Sequence, residues 1–293
     1  MNSFFYGIIS SLLYLVSLLP FWFLYILSDI LFFVLYYLIG YRRSVVQRNL
    51  ANSFPEKTAL ERRQIEKKYF RFLADTFFET IKLRSISSAE LAKRFKIINP
   101  DEVLKHIRNN QSALIATGHY ANWEWGAPAC SFLLQTQLMI IYKPQSNKYF
   151  ETIMNQIRSR FGAILVPMQQ AFRQIISYQK GPFLAIFLSD QTPVQTEYNV
   201  FIPFLSQPTA VFLGIEKIAK KTGRPVVFYH MNRIKRGYHE AVFKTLVEDP
   251  KATTEHEITK LHTAELERVI RQKPEFWLWS HKRWKFKPEN TLE

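Results

Sequence analysis

The hydrophobic pattern of this chain divides it sharply near residue 40. From Phe4 to Ile39 the only charged side chain is Asp29, and twelve of the first forty residues are Phe, Trp or Tyr. Beyond Tyr41 the pattern becomes amphipathic. Thr58 to Glu61 (TALE) has the form of a capping box and opens a helix whose apolar stripe runs Ile65, Tyr69, Phe72, Leu73, Phe77 and Ile81. Ser87 to Glu90 repeats the signal for a shorter helix, and Arg94 to Ile98 alternates like a strand. From there, strand and helix patterns interleave. Strands are predicted at Ala113 to Thr117, Leu138 to Tyr142, Ala163 to Val166, Phe183 to Leu188, Pro225 to Met231 and Glu240 to Phe243. Helices are predicted at Asp101 to Arg108, Asn122 to Leu133, Asn147 to Phe161, Gln170 to Gln179, Thr209 to Thr222 and Thr253 to Arg271, with Gly223 as a helix stop. The alternation implies an α/β fold with a mixed sheet flanked by helices, and functional residues on loops at strand ends.

The apolar start needs a cover of its own. Phe4 to Leu27, read as one helix, would be about 36 Å long at ~1.5 Å per residue, enough for a hydrocarbon core of about 30 Å, with Pro20 as a kink. A secretory signal peptide fits poorly, because no basic segment precedes the apolar run and no small-residue cleavage site follows it. The alternative is a buried hydrophobic hairpin of a soluble protein. The expected organisation is a membrane-anchoring helix or hairpin over residues 1–40 and one catalytic domain over 41–293, since no Gly/Ser-rich linker divides the remainder.

Charge supports this division. The 39 basic and 24 acidic residues give a formal net charge of +15, and residues 41–96 hold 14 Lys/Arg against 6 Asp/Glu. A basic collar after an apolar anchor suits anionic headgroups, and Arg42, Arg43 and Arg48 place the remainder in the cytoplasm by the positive-inside rule. No nucleic-acid-binding motif accompanies the charge, so nucleic acid is not an expected partner. The single cysteine, Cys130, excludes an intramolecular disulfide and a thiolate zinc cluster, and it has no obvious base beside it. No metal site or cofactor is expected.

The densest chemistry lies in Thr117 to Trp125 (TGHYANWEW). Ser112 to Thr117 reads as a buried strand, Gly118 permits a sharp exit, and Asn122 is a good N-cap. Residues five apart on a regular helix point about 140° away from each other, so His119 and Glu124 can meet only if the histidine precedes the helix. Glu124 could then orient the imidazole as a general base. Alternatively, His119 closes a loop and Glu124 complements the helix dipole.

His119 and Glu124 also carry a resemblance. The spacing of His, four residues, then Asp or Glu is similar to that of the lipid A biosynthesis acyltransferases, the lauroyl and myristoyl transferases of the lysophospholipid acyltransferase superfamily. Tyr41 to Leu50 with Asn52 to Pro55, Ile157 to Arg160, Ser189 to Gln191, Val200 to Phe204 and Trp277 to Lys285 resemble further segments of that family, in the same order and over nearly the whole chain. The glycine usual after Asp190 and Gln191 is missing, and Thr209 to Gly214 replaces a threonine-richer stretch.

The resemblance implies an O-acyltransferase at the cytoplasmic face of the inner membrane of a Gram-negative-type bacterium. It would move a fatty acyl chain from a thioester on acyl carrier protein to a hydroxyl of a lipid A precursor. His119 and Glu124 would be catalytic; Arg158, Asp190, Gln191 and Asn122 would bind substrate. Arg158 and Arg160 could instead satisfy carbonyls at a helix end, and Asp190 and Gln191 could be turn formers before Pro193. A lysophospholipid or aminolipid acceptor with acyl-CoA as donor is the alternative within this chemistry. A non-catalytic membrane lipid-binding protein is the alternative outside it.

Overall fold

The computed structural model describes residues 3–193 and 200–288 of the chain. The apolar start is two helices rather than one. α1 (Ser3–Leu18) ends before Pro20, whose extended backbone opens α2 (Phe21–Phe33), and α2 runs on through a π-helical turn at Val34–Leu38. A proline has no N–H to donate and its ring clashes with the preceding turn, so the span expected from Phe4 to Leu27 is broken at Pro20, about two thirds of the way along it. Among the described residues, one helical segment, Phe21–Leu38, is long and apolar enough to cross a bilayer.

α3 (Arg43–Ser53) leads to α4 (Ala59–Lys82), which begins with the expected capping box. Thr58 accepts from the Glu61 backbone N–H, and the Glu61 carboxylate accepts from the Thr58 N–H at 2.7 Å. At α5 (Ser88–Arg94) Ser87 caps the Glu90 N–H.

The remainder builds a seven-stranded mixed sheet. In chain order its elements are β1 (Phe95–Ile97), α6 (Asp101–Arg108), β2 (Ala113–Thr117), α7 (Trp123–Leu134), β3 (Gln137–Tyr142), α8 (Lys148–Ser159) and β4 (Ile164–Pro167). α9 (Ala171–Ser177), β5 (Phe183–Leu188), a small hairpin of β6 (Phe201–Phe204) and β7 (Gln207–Ala210), and α10 (Gly214–Thr222) follow. β8 (Val226–Lys235), β9 (Tyr238–Val247) and α11 (Glu257–Gln272) complete it. The strand order is β1-β9-β8-β2-β5-β3-β4, parallel throughout except for the antiparallel pair β8 and β9.

β2 is buried over all five residues and β5 over its first five, which explains their continuous apolar runs: both faces of central parallel strands are covered. The helix expected over Thr209 to Thr222 is shorter, because Gln207–Ala210 pairs with Phe201–Phe204 as a hairpin and α10 starts only at Gly214. Thr209 is fully buried, and its hydroxyl donates to the Gln207 carbonyl at 2.9 Å.

The register of β2 and β5 sets the site. Thr117 pairs with Leu188, the last residues of two adjacent parallel strands, and the Ser189 N–H donates to the Thr117 carbonyl at 3.0 Å. His119 and Asp190 each lie two residues beyond that pair. Side chains from loops at the carboxyl ends of neighbouring parallel strands are thereby delivered to one edge of the sheet.

Candidate active site

Gly118 makes the exit from β2. A Cβ there would lie 2.8 Å from the Leu266 side chain and 2.9 Å from Asp190 Oδ2, so only glycine lets the strand end press against Asp190. The turn continues through Ala121, held at a φ of 52°, and is pinned from outside by the Trp277 loop. Tyr120 bridges to Trp277, and the Ala121 N–H donates to the Phe276 carbonyl at 2.9 Å. Left-handed backbone at a residue with a Cβ costs roughly 1–2 kcal/mol, and this second segment holds it in place.

Within that frame the partner of His119 is Asp190. The imidazole Nδ1 lies 2.6 Å from Asp190 Oδ1, while Asp190 Oδ2 accepts from the His119 backbone N–H at 2.8 Å and from the Trp277 indole N–H at 2.7 Å. Burial pushes the Asp190 carboxyl up. The His119 imidazole and these donors outweigh it and leave the group at about 2. An ionised Asp190 keeps the proton on Nδ1 and leaves Nε2 as the free lone pair. On that side Gln191 lies 3.0 Å away through its Nε2, so in the side-chain amide orientation of this structure its NH₂ donates to the bare nitrogen. Trp123 meets the imidazole edge-on at 5.1 Å between centroids.

Glu124 does not hold the histidine, contrary to the sequence expectation. In the first turn of α7, its carboxylate receives a bidentate fork from Arg158 in the last turn of α8, Nε to Oε2 at 2.9 Å and Nη2 to Oε1 at 2.6 Å. Burial pushes the Glu124 carboxyl up, but Arg158 overrides it, with a smaller contribution from nearby His119, and the group stays below the usual carboxylate range. The guanidinium is a stronger and geometrically better matched donor than an imidazole N–H, so it takes both oxygens.

Asn122 is placed differently from the expectation of a substrate contact. It is fully buried, caps α7 by accepting from the Trp125 N–H, and donates to Glu79 Oε2 at 2.7 Å. Both ends of its amide are therefore used inside the fold. Glu79 also accepts from His239 and from the Tyr25 hydroxyl. Arg160 does not satisfy the carbonyls of its own helix end but those beyond another helix, donating to the Leu83 and Ile86 carbonyls at 2.8 and 2.6 Å just after α4.

The Trp277 segment contributes residues that its sequence only hinted at. His281 is lowered to about 4 by burial, and its neutral Nε2 accepts from the Thr192 backbone N–H at 3.2 Å. It thus fixes the loop carrying Asp190 and Gln191. The contact from Trp277 to Asp190 was not readable beforehand, since an indole among several aromatic residues gives no sign of which carboxylate it will meet.

His119, Trp123, Glu124, Tyr142, Arg158 and Gln191 line a cavity of about 130 Å³. It shares Ile141, Tyr142, Lys143, Leu188 and Gln191 with a larger groove of about 450 Å³, whose far wall is apolar: Met168, Phe172, Phe187, Phe212, Ile215 and Ile218. Asp190, expected to meet substrate, instead stays behind His119 and outside both, its two oxygens taken by His119 and Trp277. The arrangement presents one imidazole lone pair and one arginine–glutamate pair at the polar end of an apolar trough.

Comparison with known proteins places this architecture. The sequence model of the bacterial lipid A biosynthesis acyltransferases matches residues 3–286, and the chain belongs to that family. A lipid A biosynthesis acyltransferase of Haemophilus influenzae is 24% identical over 245 residues, 81% of this chain and 74% of the relative. A lipid A biosynthesis palmitoleoyltransferase of Escherichia coli is 22% identical over 248 residues, 84% and 80% of the two chains. The lauroyltransferase of the same organism is 24% identical over 257 residues, 85% and 81%. The family supports acyl transfer onto lipid A as the activity class.

Proposed function

We propose that this protein transfers a fatty acyl group from an acyl thioester, carried by acyl carrier protein, to a hydroxyl of a membrane-held lipid A precursor. The observation that carries the reading is the His119 lone pair, aimed by an ionised Asp190, at the mouth of an apolar trough. The acceptor hydroxyl displaces the Gln191 amide from Nε2. Its proton passes to Nε2 as the oxygen attacks the thioester carbonyl, and collapse of the tetrahedral species breaks the C–S bond. The departing thiolate takes the proton back from the imidazolium. Asp190 holds the ring in the required tautomer and stabilises its positive charge, the role an aspartate has in a hydrolase triad. Among the described residues no serine or cysteine is hydrogen-bonded to the imidazole, and burial pushes the Cys130 thiol up to about 12, so direct transfer between two bound substrates fits better than an acyl-enzyme.

In this reading His119 and Glu124 are catalytic. Glu124 adds negative potential beside the imidazole, and Arg158 fixes it there. Gln191 and Arg158 meet the substrates, and the 450 Å³ groove, within the range of about 300–1,000 Å³ usual for ligand pockets, takes the acyl chain. The chain's excess of 15 positive charges favours the approach of a strongly acidic carrier protein; acyl-CoA is anionic as well, so the choice between these donors rests on kinetics with each and not on net charge. Residues 1–40 anchor the enzyme at the cytoplasmic face of a Gram-negative inner membrane.

Mass spectrometry of lipid A and total lipids from cells with and without the gene tests the proposal. One fatty acyl group fewer on lipid A in its absence is the expected result. An unchanged lipid A with an altered phospholipid or aminolipid would transfer the reading to that acceptor.

A further inference from the structure

The contacts of α2 with α4 follow an antiparallel register over the whole apolar segment. The Phe21 ring lies 5.5 Å from the Lys82 ammonium. The Tyr25 hydroxyl donates to Glu79 Oε1 at 3.0 Å, and Ser28 Oγ donates to Asp75 Oδ1 at 2.6 Å. Further on, Phe32 lies 4.9 Å from the Arg71 guanidinium and Tyr37 lies 5.9 Å from the Lys67 ammonium. Each turn gained along α2 is a turn lost along α4. Midway, Asp29 pairs with Arg236 at 2.7 Å.

α1 is tied to the same support. Lys82 donates to the Ser17 and Leu19 carbonyls at 2.9 Å, and Arg84 donates to the Ser10 carbonyl at 3.2 Å. The Tyr6 ring meets Tyr149, at the start of α8, at 4.9 Å.

A helix cannot cross the hydrocarbon core alone while it is bound at every turn to Lys67, Arg71, Asp75, Glu79 and Lys82. Crossing would strip those contacts or carry the charges of α4 into lipid, and both are costly. Yet the side of α2 away from α4 is bare and apolar: Trp22, Ile26, Ile30, Phe33 and Leu38 are 49–67% exposed, and Leu12 and Leu15 of α1 extend the surface. Arg42, Arg48, Lys67, Lys68 and Arg71 stand exposed nearby in sequence. Apolar surface with basic flanks is complementary to one leaflet of anionic phospholipid.

We propose that α1 and α2 do not span the bilayer but form a rigid wedge in its cytoplasmic leaflet, fixed to the catalytic domain by α4. The start of α1 and the catalytic domain then lie on the same side of the membrane. Because α1 abuts α8, which carries Arg158, the wedge also brings the leaflet toward the cleft, where a lipid acceptor can enter sideways.

This inference rests on the reading of the chain as a membrane-bound acyltransferase, and topology separates the two. The full chain carries one epitope before residue 1 and another after residue 293, and externally added protease is applied to spheroplasts and to inverted inner-membrane vesicles. Both epitopes should survive in spheroplasts and both should be digested in inverted vesicles. Loss of the amino-terminal epitope in spheroplasts overturns the wedge while leaving the acyltransferase reading intact. Same-sided epitopes in vesicles that transfer no acyl group support the wedge and count against the acyltransferase.

Ile26→Lys with Ile30→Lys, in the full chain, checks the lipid contact independently. The pair should shift the protein from vesicles of mixed anionic and neutral phospholipid to the soluble fraction by more than tenfold, at an unchanged melting temperature. Retention on the vesicles overturns the proposed surface.

Discussion

The Nδ1 atom of His119 sits 2.6 Å from Asp190 Oδ1 although the two residues are 71 positions apart, because the strands that precede them, β2 and β5, are paired with Thr117 opposite Leu188. The sequence drew attention to Glu124, the nearer carboxylate, and the sheet delivers the farther one. This relationship orders the expected effects of substitution. His119→Ala should abolish transfer with the fold retained. Asp190→Asn should lower kcat by ~10² to 10⁴, since an amide can hold the ring in the wrong tautomer. Steady-state turnover at equal folded concentration checks this, and an Asp190→Asn enzyme within a few-fold of the parent would remove Asp190 from the machinery.

Glu124 and Arg158 should behave as a pair. Breaking a largely buried, bidentate pair from one side costs about 3–5 kcal/mol, because the remaining charge is left without a partner. Arg158→Ala is therefore expected to lower both stability and activity. Glu124→Gln, which keeps an acceptor for the guanidinium, should lose less activity than His119→Ala. Urea unfolding beside turnover measurements separates the two effects.

A third expectation concerns the length of the transferred chain. Gly214 lies on the wall of the apolar groove at the start of α10, and an added Cβ there would meet nothing within 4 Å. Gly214→Phe should fold normally, fill part of the groove and shift the kcat/KM ratio toward shorter acyl donors. An unchanged preference across donor lengths would mean that the chain lies elsewhere.

Acid should weaken the fold through His262. It is buried in α11, its Nε2 has no hydrogen-bond partner among the described residues, and burial holds it down to about 4. The unfolded chain binds this proton below about 6.5 and the folded protein only below about 4, so stability is full above pH 6.5 and falls as pH drops toward 4. The contribution between pH 7 and 5 is about 2 kcal/mol. Urea unfolding at the two pH values should show a smaller difference for His262→Leu than for the parent protein.

Electrostatics at the surface proposed to receive the carrier protein gives a further test. Lys282 and Lys285 are exposed beside the segment that holds the Asp190 loop. Lys282→Glu with Lys285→Glu should slow transfer from acyl carrier protein several-fold, chiefly through KM, and leave any acyl-CoA activity little changed. High salt should imitate the substitution for the carrier protein alone.

The comparison of sequence with structure has a physical pattern. β2, β5 and α6 fall at their expected boundaries, since a buried strand and a short amphipathic helix both announce themselves through local apolar spacing. The capping box of α4 was equally legible, because its two hydrogen bonds join residues three apart. Pro20 was visible too, but whether it bends or ends a helix depends on what the two halves pack against.

The β6–β7 hairpin is not legible in the sequence, because Gln207–Ala210 is stabilised by cross-strand pairing and by the buried Thr209, neither of which has a helical or alternating signature. The site divides in the same way. His119 and its following helix were readable from one short segment. The bond to Asp190, the donation from Trp277 and the capture of Glu124 by Arg158 depend on sheet register and helix packing between distant residues, and no spacing rule along the chain encodes them.

The most direct test of the account is transfer in a defined mixture of the purified enzyme, a lipid A precursor and a single acyl carrier protein thioester, followed by mass spectrometry of the lipid. The parent protein should add the mass of one acyl group per acceptor and release one free carrier thiol for each, and His119→Ala at equal folded concentration should do neither. Near-normal transfer by His119→Ala would contradict the general-base assignment, and absence of transfer by the parent protein from any acyl thioester would contradict the proposed reaction itself.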